Sequence, residues 1–409
     1  MNLDNRPNAL LSSKVCVSYF TVFFPVFIIL AQYRTSIGLA SYGLNIIYFG
    51  VIVFILRNRY VSVYRDLFIL VVVYSLLEGY NLISREIDLS VTINRLIGPF
   101  VMIIGITTAS LTIDRSKFFQ YYEWVVIATS VGILYHSFVL VLSHGSVTPI
   151  AILPIDQLDI FSRQLDRPVS FFTEPQAYAS FVMPMYANYL VSRHFLRAAL
   201  LFGVLIVSTS SFGILCAAML IVAYGLMSGS KSRFVLVVLA MVSVGYFTIT
   251  FTDLGQQALN KILLTDYETS IRTGKGLQVF STFSLRAQLF GTMDTVTDYV
   301  VRNIRDFDWA NAYLGSDAEH LLEYLTTFSY VLVNFGIVGL ALYVGFLYRL
   351  YVSSSTKLSR LLFAMIVIAN FSNTVLFNAW FIFYYVLMYI SNRDSAIRPC
   401  ALTLRFKSS

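Results

Sequence analysis

Long apolar stretches alternate with short polar connections along most of the chain. A helix that crosses a bilayer needs about 20 apolar residues, and these stretches approach or reach that length. The pattern therefore predicts one transmembrane domain over residues 1–409 with about twelve transmembrane helices. The predicted spans are 15–33, 38–56, 66–83, 96–111, 121–143, 175–191, 195–209, 211–229, 233–252, 327–348, 361–377 and 378–391.

The composition of the chain supports this interpretation. Of its 409 residues, 57% are hydrophobic and 12% are charged, whereas about 25% are charged in soluble domains. These values exclude most soluble enzyme folds and predict an all-α, polytopic integral membrane protein. The net charge of +7 is spread over many connections. No basic run with interleaved aromatic residues occurs, so nucleic-acid binding is not predicted.

Lysine and arginine residues in the connections orient the predicted spans, because basic loops resist translocation. With both termini in the cytoplasm, eighteen of the 29 basic residues lie on the cytoplasmic side and five outside. The other six lie in one loop that is too long for the rule. Two predicted pairs, 195–229 and 361–391, could each form one long helix. If 195–229 were a single span, the later basic connections would move to the outer side, so the basic residues favour a hairpin at 208–211. In the second pair, a turn near Asn378 depends on the basic residues of the C-terminal tail alone.

Two connections are long, 144–174 and 253–326, and the predicted topology places both in the periplasm. In the longer loop the apolar spacing is typical of short helices. We expect these helices at 253–264, 284–305 and 317–328, with a break at 274–276. No zinc-spaced Cys/His set, P-loop or dinucleotide motif occurs, so no metal or cofactor is predicted.

Residues 166–181 place an arginine seven positions before a Glu-Pro pair at the start of the sixth predicted span. This order resembles bacterial O-antigen polymerases of the Wzy type, in which an arginine, a Ser/Phe-rich stretch and Glu-Pro precede small residues. The serine-rich segment 208–213 and the segments 317–320 and 335–339 are similar to later parts of that family, in the same order. The layout of about twelve spans with enlarged third and fifth periplasmic loops is also similar.

The resemblance implies a membrane glycosyltransferase of GT-C-like architecture in the bacterial inner membrane. Such an enzyme moves a growing glycan from undecaprenyl diphosphate to a sugar hydroxyl of an incoming lipid-linked repeat unit. The implied partners are undecaprenyl-diphosphate-linked oligosaccharide and membrane lipid, with a chain-length regulator protein as a further candidate. O-antigen ligases share this layout, so a ligase is an alternative. A non-enzymatic lipid or solute transporter is an alternative from another class.

The implied reaction needs guanidinium groups to stabilise the departing diphosphate and a carboxylate or imidazole to act as base. By residue type and predicted side, the candidate catalytic residues are Arg167, Glu174, Arg286 and His320. Arg272 and Arg163 are candidates for diphosphate binding.

Structural roles are the competing interpretation for these residues. Arg167 could pair with Asp166 or with lipid phosphate. Glu174 precedes Pro175, so it could be a first-turn carboxylate favoured by the helix dipole. Outside the candidate set, we expect structural hydrogen bonds or ion pairs for Glu78, His136, Arg302 and Arg305.

Overall fold

The structure is a computed structural model. It describes residues 14–33, 42–58, 60–82, 89–143, 147, 150, 167–228, 231–252, 256, 259, 274–292, 296–307, 310, 325–393 and 401–405. Most of these residues are helical, which fits the predicted all-α class. The helices are α1 (Lys14–Leu30), α2 (Tyr42–Asn58), α3 (Arg65–Leu82), α4 (Leu89–Thr112), α5 (Arg115–Ser143), α6 (Pro175–Val191), α7 (Phe195–Val207), α8 (Ser211–Ser228), α9 (Lys231–Phe251), α10 (Gly276–Ser281), α11 (Leu285–Phe290), α12 (Val296–Arg302), α13 (Thr327–Ser353), α14 (Lys357–Ser372) and α15 (Ala379–Asn392).

Twelve of these helices, α1–α9 and α13–α15, coincide with the twelve apolar stretches of the sequence. Two of them contain segments long and apolar enough to cross a membrane, Arg115–Leu142 and Thr327–Ser353. Seven further apolar segments of 10–17 residues lie in other helices of the described part. Helix length and composition therefore support a membrane protein at this coarse level.

Both doubtful pairs of predicted spans are separate helices. A turn at 208–210 separates α7 from α8, and Thr209 lies in the left-handed region with φ 57°. The segment 373–378 separates α14 from α15, where the side-chain oxygen of Asn378 accepts hydrogen bonds from the N–H groups of Trp380 (2.9 Å) and Phe381 (3.2 Å). This cap satisfies donors that a helix start leaves unpaired, so it fixes the first residue of α15.

The helices α6 and α15 form the centre of the bundle. Both are apolar on nearly every face and almost fully buried, as expected of helices in the interior of a large bundle. Their aromatic side chains meet directly, because the rings of Phe181 and Phe383 stack with their centroids 5.6 Å apart. The start of α6, which follows the Glu-Pro pair, is therefore continuous with a fully buried part of the core.

Several helix termini that carry basic residues meet at one end of the bundle, which we call the basic end. Arg349 in the last part of α13 forms an ion pair with Asp66 at the start of α3, at 3.1 Å. Arg393, directly after α15, donates a hydrogen bond to the carbonyl oxygen of Ile113, at 3.1 Å. These contacts hold the connections 57–65, 113–114 and 354–356 and the C-terminal tail on the same side of the bundle.

Two short strands, β1 (Tyr60–Tyr64) and β2 (Ala401–Arg405), pair antiparallel at the basic end. In this register Ser62 lies opposite Thr403, and their hydroxyl oxygens are 3.0 Å apart. The pairing joins the tail to the connection after α2. Because both strands lie at the same end of the bundle, an even number of long helices must separate them. This agrees with two separate helices in the 361–391 region.

The other end of the bundle, which we call the loop end, consists of the segment 167–174, the short helices α10–α12 and the turn 373–378. The short helices share a small apolar core that includes Val279, Phe283 and Val300 and that continues into Val333 of α13. The single helix predicted at 284–305 is wrong. It is divided because Gly291 has φ 92° and ends α11, after which α12 begins at Val296. The predicted break at 274–276 instead leads directly into α10.

Candidate functional site

The candidate residues that the structure describes all lie at the loop end. Arg167 and Glu174 lie at the two ends of the segment 167–174, and Arg286 lies on α11. No hydrogen bond or ion pair joins any two of these three described side chains. The other three candidates, Arg163, Arg272 and His320, lie outside the described residues.

The segment 167–174 is held against the end of α1. The hydroxyl group of Tyr33 donates a hydrogen bond to the carbonyl oxygen of Phe171, at 2.7 Å. The side-chain oxygen of Gln32 accepts from both the backbone N–H and the hydroxyl of Thr173, at 3.3 Å each. Phe172 is fully buried and packs on the aromatic rings of α6. The segment is therefore a fixed part of the fold, with hydrogen bonds on one side and core packing on the other.

Ser170, in the middle of the segment, is buried and has φ 56°. Left-handed backbone in a residue other than glycine costs about 1–3 kcal/mol and persists only where surrounding contacts enforce it. Gly132 of α5 allows the close approach, because a Cβ atom at that position would be 2.1 Å from the Ser170 hydroxyl oxygen. The Ser170 N–H donates to Nδ1 of His136, at 3.1 Å. The expectation that His136 is hydrogen-bonded is confirmed.

Glu174 occupies the N-cap position of α6 in an extended conformation, with φ −153° and ψ 155°. Its carbonyl oxygen accepts from the N–H groups of Ala177 (3.1 Å) and Tyr178 (3.3 Å). Its half-buried carboxylate makes no side-chain cap and pairs with no cation in the described part of the chain. Negative charge is favoured at a helix N-terminus, so this carboxylate is stabilised by position while its oxygens are available to accept a hydrogen bond.

A polar junction lies two residues further along α6. The amide of Gln176 donates to the side-chain oxygen of Asn373, at 2.6 Å. The carbonyl oxygen of Asn373 accepts from the N–H of Thr327 (2.9 Å) and from its hydroxyl (2.8 Å). Thr327 in turn accepts from the N–H of Val375, at 2.7 Å. The starts of α6 and α13 and the turn before α15 thus meet beside Glu174, an arrangement the sequence did not predict.

Arg286 is exposed and lies against Tyr80 of α3. Its Nε donates a hydrogen bond to the Tyr80 hydroxyl, at 3.1 Å, and its guanidinium carbon is 5.0 Å from the centre of the ring. The two terminal nitrogens of Arg286 have no partner among the residues that are described. The contact fixes the guanidinium plane through one nitrogen and leaves the paired donors, which match phosphate oxygens, facing solvent.

Two glycines lock the helix that carries Arg286 onto α13. Gly291 ends α11 with φ 92°, and Gly336 interrupts α13 with φ 67°. A Cβ atom on Gly291 would be 2.0 Å from the Asn334 carbonyl oxygen, and one on Gly336 would be 2.3 Å from the Leu289 carbonyl oxygen. The two backbones therefore touch at positions where only glycine fits.

Lys275 is a cation at the loop end that the sequence interpretation missed. It precedes α10 and is only 8% exposed. Its neighbour Gly276 approaches the first turn of α13 so closely that a Cβ atom there would be 2.6 Å from Cβ of Ser329. Burial lowers the pKa of the Lys275 ammonium group. The Gly-Lys-Gly sequence was the available signal, since glycines on both sides of a lysine permit close backbone packing.

The residues for which structural roles were expected have different outcomes. Glu78 is buried within α3, in agreement with that expectation. Arg302 and Arg305 are exposed. Asp308, one of the acids expected to pair with them, lies outside the described residues, so the ion pair of Arg305 stays a prediction. A comparison with protein-family models found no match, and a comparison with curated protein sequences found no relative.

Proposed function

We propose that this protein is a multi-pass glycosyltransferase of the bacterial inner membrane with twelve spans and both termini in the cytoplasm. Its reaction is the polymerisation of undecaprenyl-diphosphate-linked repeat units into O-antigen or a related surface polysaccharide. The proposal rests on the resemblance of the sequence to O-antigen polymerases and on the separation of the two ends of the bundle. The basic end faces the cytoplasm, as basic loops do, and the loop end faces the periplasm.

The observation that supports this reaction best is the state of Arg286. Its Nε is held by Tyr80, while its terminal nitrogens are not engaged within the described chain. Guanidinium stays ionised at every relevant pH and can bind a phosphate with two parallel hydrogen bonds. A hydrogen bond to a charged group contributes about 1.5–3 kcal/mol. Arg286 therefore stabilises the diphosphate as negative charge develops on it during departure from the glycan.

Glu174 supplies the second requirement, a group that accepts a proton or orients the attacking hydroxyl. Its carboxylate lies at the start of α6, next to the polar junction of Gln176, Asn373 and Thr327. A general base must reach the reacting proton directly or through one water. Arg167, at the other end of the same segment, binds the second lipid-linked substrate, and His320 is retained as an alternative base.

The direct test is polymer formation by the purified protein in lipid vesicles that contain a synthetic undecaprenyl-diphosphate repeat unit. We expect a ladder of products without added nucleotide sugar or metal. Arg286→Lys keeps the charge but loses the planar donor pair, so the rate falls by about tenfold or more, as loss of about 1.5 kcal/mol predicts. The matched control is Arg305→Lys, an exposed arginine in the same loop, which leaves the rate unchanged.

Two results would contradict the proposal. A ladder that persists when Arg167, Glu174 and Arg286 are replaced together rejects the site. Absence of polymer, with transfer of a single glycan to a lipid A core acceptor, favours the ligase. In cells the same distinction is visible on the acceptor lipid, because loss of a polymerase leaves single repeat units attached and loss of a ligase leaves none.

A further inference from the structure

His136 lies on α5 directly against the segment that connects Arg167 with Glu174. It is only 2% exposed. Its Nδ1 atom accepts hydrogen bonds from two successive backbone N–H groups, those of Val169 (3.4 Å) and Ser170 (3.1 Å). An Nδ1 that accepts hydrogen bonds carries no proton, so the imidazole is neutral with its hydrogen on Nε2.

The contacts around Ser170 make this acceptor necessary. Ser170 has φ 56° and is completely buried, so its N–H cannot turn to water. Its carbonyl oxygen accepts from the N–H of Ile150, at 2.8 Å, and Gly132 leaves space for its side chain. Without the imidazole, two adjacent buried donors would lose their partner, and buried donors without a partner are strongly disfavoured.

We propose that neutral His136 is the positioning residue of the site, which holds Arg167 and Glu174 in place by accepting from the backbone between them. The inference rests on the proposed function for the roles of those two residues. A side chain at position 136 that cannot accept these hydrogen bonds leaves two buried donors without a partner and releases the segment. The reactive geometry is therefore lost together with the acceptor.

Hydrogen–deuterium exchange of the segment tests this role without any substrate. Purified wild type is compared with His136→Asn and His136→Leu at pH 7.5. The side-chain oxygen of asparagine lies close to the position of Nδ1 and cannot titrate, so His136→Asn keeps the acceptor. Leucine removes it. His194→Asn, at the basic end, is the matched control for loss of a different histidine.

We expect the segment to be protected in wild type, in His136→Asn and in His194→Asn. In His136→Leu the segment exchanges at least about tenfold faster, because both buried N–H groups lose their acceptor. The role is overturned if the segment exchanges equally fast in wild type and His136→Leu, or if His136→Asn loses the protection. The second result does not depend on whether His136→Leu folds.

The polymer assay supplies the second readout. His136→Asn is expected to retain the wild-type kcat, whereas His136→Leu lowers kcat with KM little changed. Rescue by asparagine, which keeps the acceptor but not the imidazole ring, separates this role from general packing. If exchange behaves as expected and no polymer forms in wild type, the proposed function fails while the role of His136 in holding the segment stands. A kcat for His136→Asn as low as that for His136→Leu overturns the positioning role.

Discussion

Replacement of Gly336 by alanine tests whether the contact between α11 and α13 fixes the position of Arg286. Gly336 interrupts α13 with φ 67°, and the backbone of Leu289 in α11 lies directly over it. A new Cβ atom would be 2.3 Å from the Leu289 carbonyl oxygen and 2.5 Å from the N–H nitrogen of Phe290. Both neighbours are backbone atoms, which cannot rotate away as a side chain could.

Two costs add in the Gly336→Ala variant. Left-handed backbone costs alanine about 1–2 kcal/mol, and insertion of a methyl group into a closely packed contact costs about 1–3 kcal/mol. The free energy of unfolding is therefore expected to fall by about 2–5 kcal/mol, a large part of the stability of an ordinary domain. The cheapest relaxation moves α11 away from α13, which carries Arg286 away from Tyr80. The variant should lose polymerisation even where it still folds.

The matched control is Gly345→Ala on the same helix. A methyl group added to Gly345 would meet nothing within 4 Å, and this glycine has no positive φ, so alanine there should be neutral or stabilise by up to about 1 kcal/mol. Thermal unfolding in detergent and the rate of polymer formation are measured for both variants. If Gly336→Ala unfolds at the same temperature as Gly345→Ala and polymerises as fast as wild type, the locked position of α11 is refuted.

Three further changes test separate parts of the structure. Tyr80→Phe keeps the ring but removes the acceptor for Arg286 Nε, so the polymer rate should fall about fivefold with no change in unfolding temperature; a larger loss of stability would contradict the role. The Ser116 hydroxyl and the N–H groups of Lys117 and Ser116 donate to Asp114 and lower the pKa of its carboxyl group. A carboxyl group whose pKa is lower in the folded state stabilises the protein at pH values above its unfolded-state pKa of about 3.9. This stabilisation is lost as the pH falls through the folded-state pKa. Ser116→Ala should therefore unfold at a lower temperature than wild type at pH 7, by a difference that shrinks as the pH falls below about 3.9, and a difference that stays constant would refute the cause. In a background without native cysteines, the pair S62C and T403C should cross-link under oxidation in intact membranes, whereas S62C with A401C, two positions out of register, should not; equal yields would reject the pairing of β1 with β2.

The helices were predictable because each depends on a local property of the sequence. A run of apolar residues specifies a helix in a nonpolar environment whichever neighbours it packs against, so the twelve long helices fall where the pattern predicts them. The hairpin between α7 and α8 was also predictable, from the distribution of lysine and arginine between alternate connections. The strands β1 and β2 were not, because each has only five residues and their pairing joins positions more than 300 residues apart.

The sequence predicts that the candidate residues lie near one another at one end of the bundle, and it predicts much less of the contacts that support them. Arg167, Glu174 and Arg286 do lie at one end of the bundle. The partners that hold this end were missed because they come from distant helices: His136 from α5, Tyr80 from α3 and Asn373 from the turn before α15. A sequence shows that His136 needs a hydrogen bond within a span, but only the fold shows that its donors are the backbone between two candidate residues.

Left-handed backbone is concentrated at the loop end and the half of α13 that packs against it. Of six described residues with positive φ, Arg193 lies at the basic end and Thr209 lies in the turn between α7 and α8. The other four are at the loop end or in the part of α13 against it: Ser170, Gly291, Gly336 and Phe377. Irregular backbone within a membrane bundle persists only where protein groups satisfy its polar atoms, and His136 does this for Ser170. These conformations are held by contacts within the chain, so the loop end is ordered before any substrate binds. The geometry around Arg167, Glu174 and Arg286 is therefore measurable in the protein alone, and a substrate-free exchange experiment can separate an error in the proposed reaction from an error in the site.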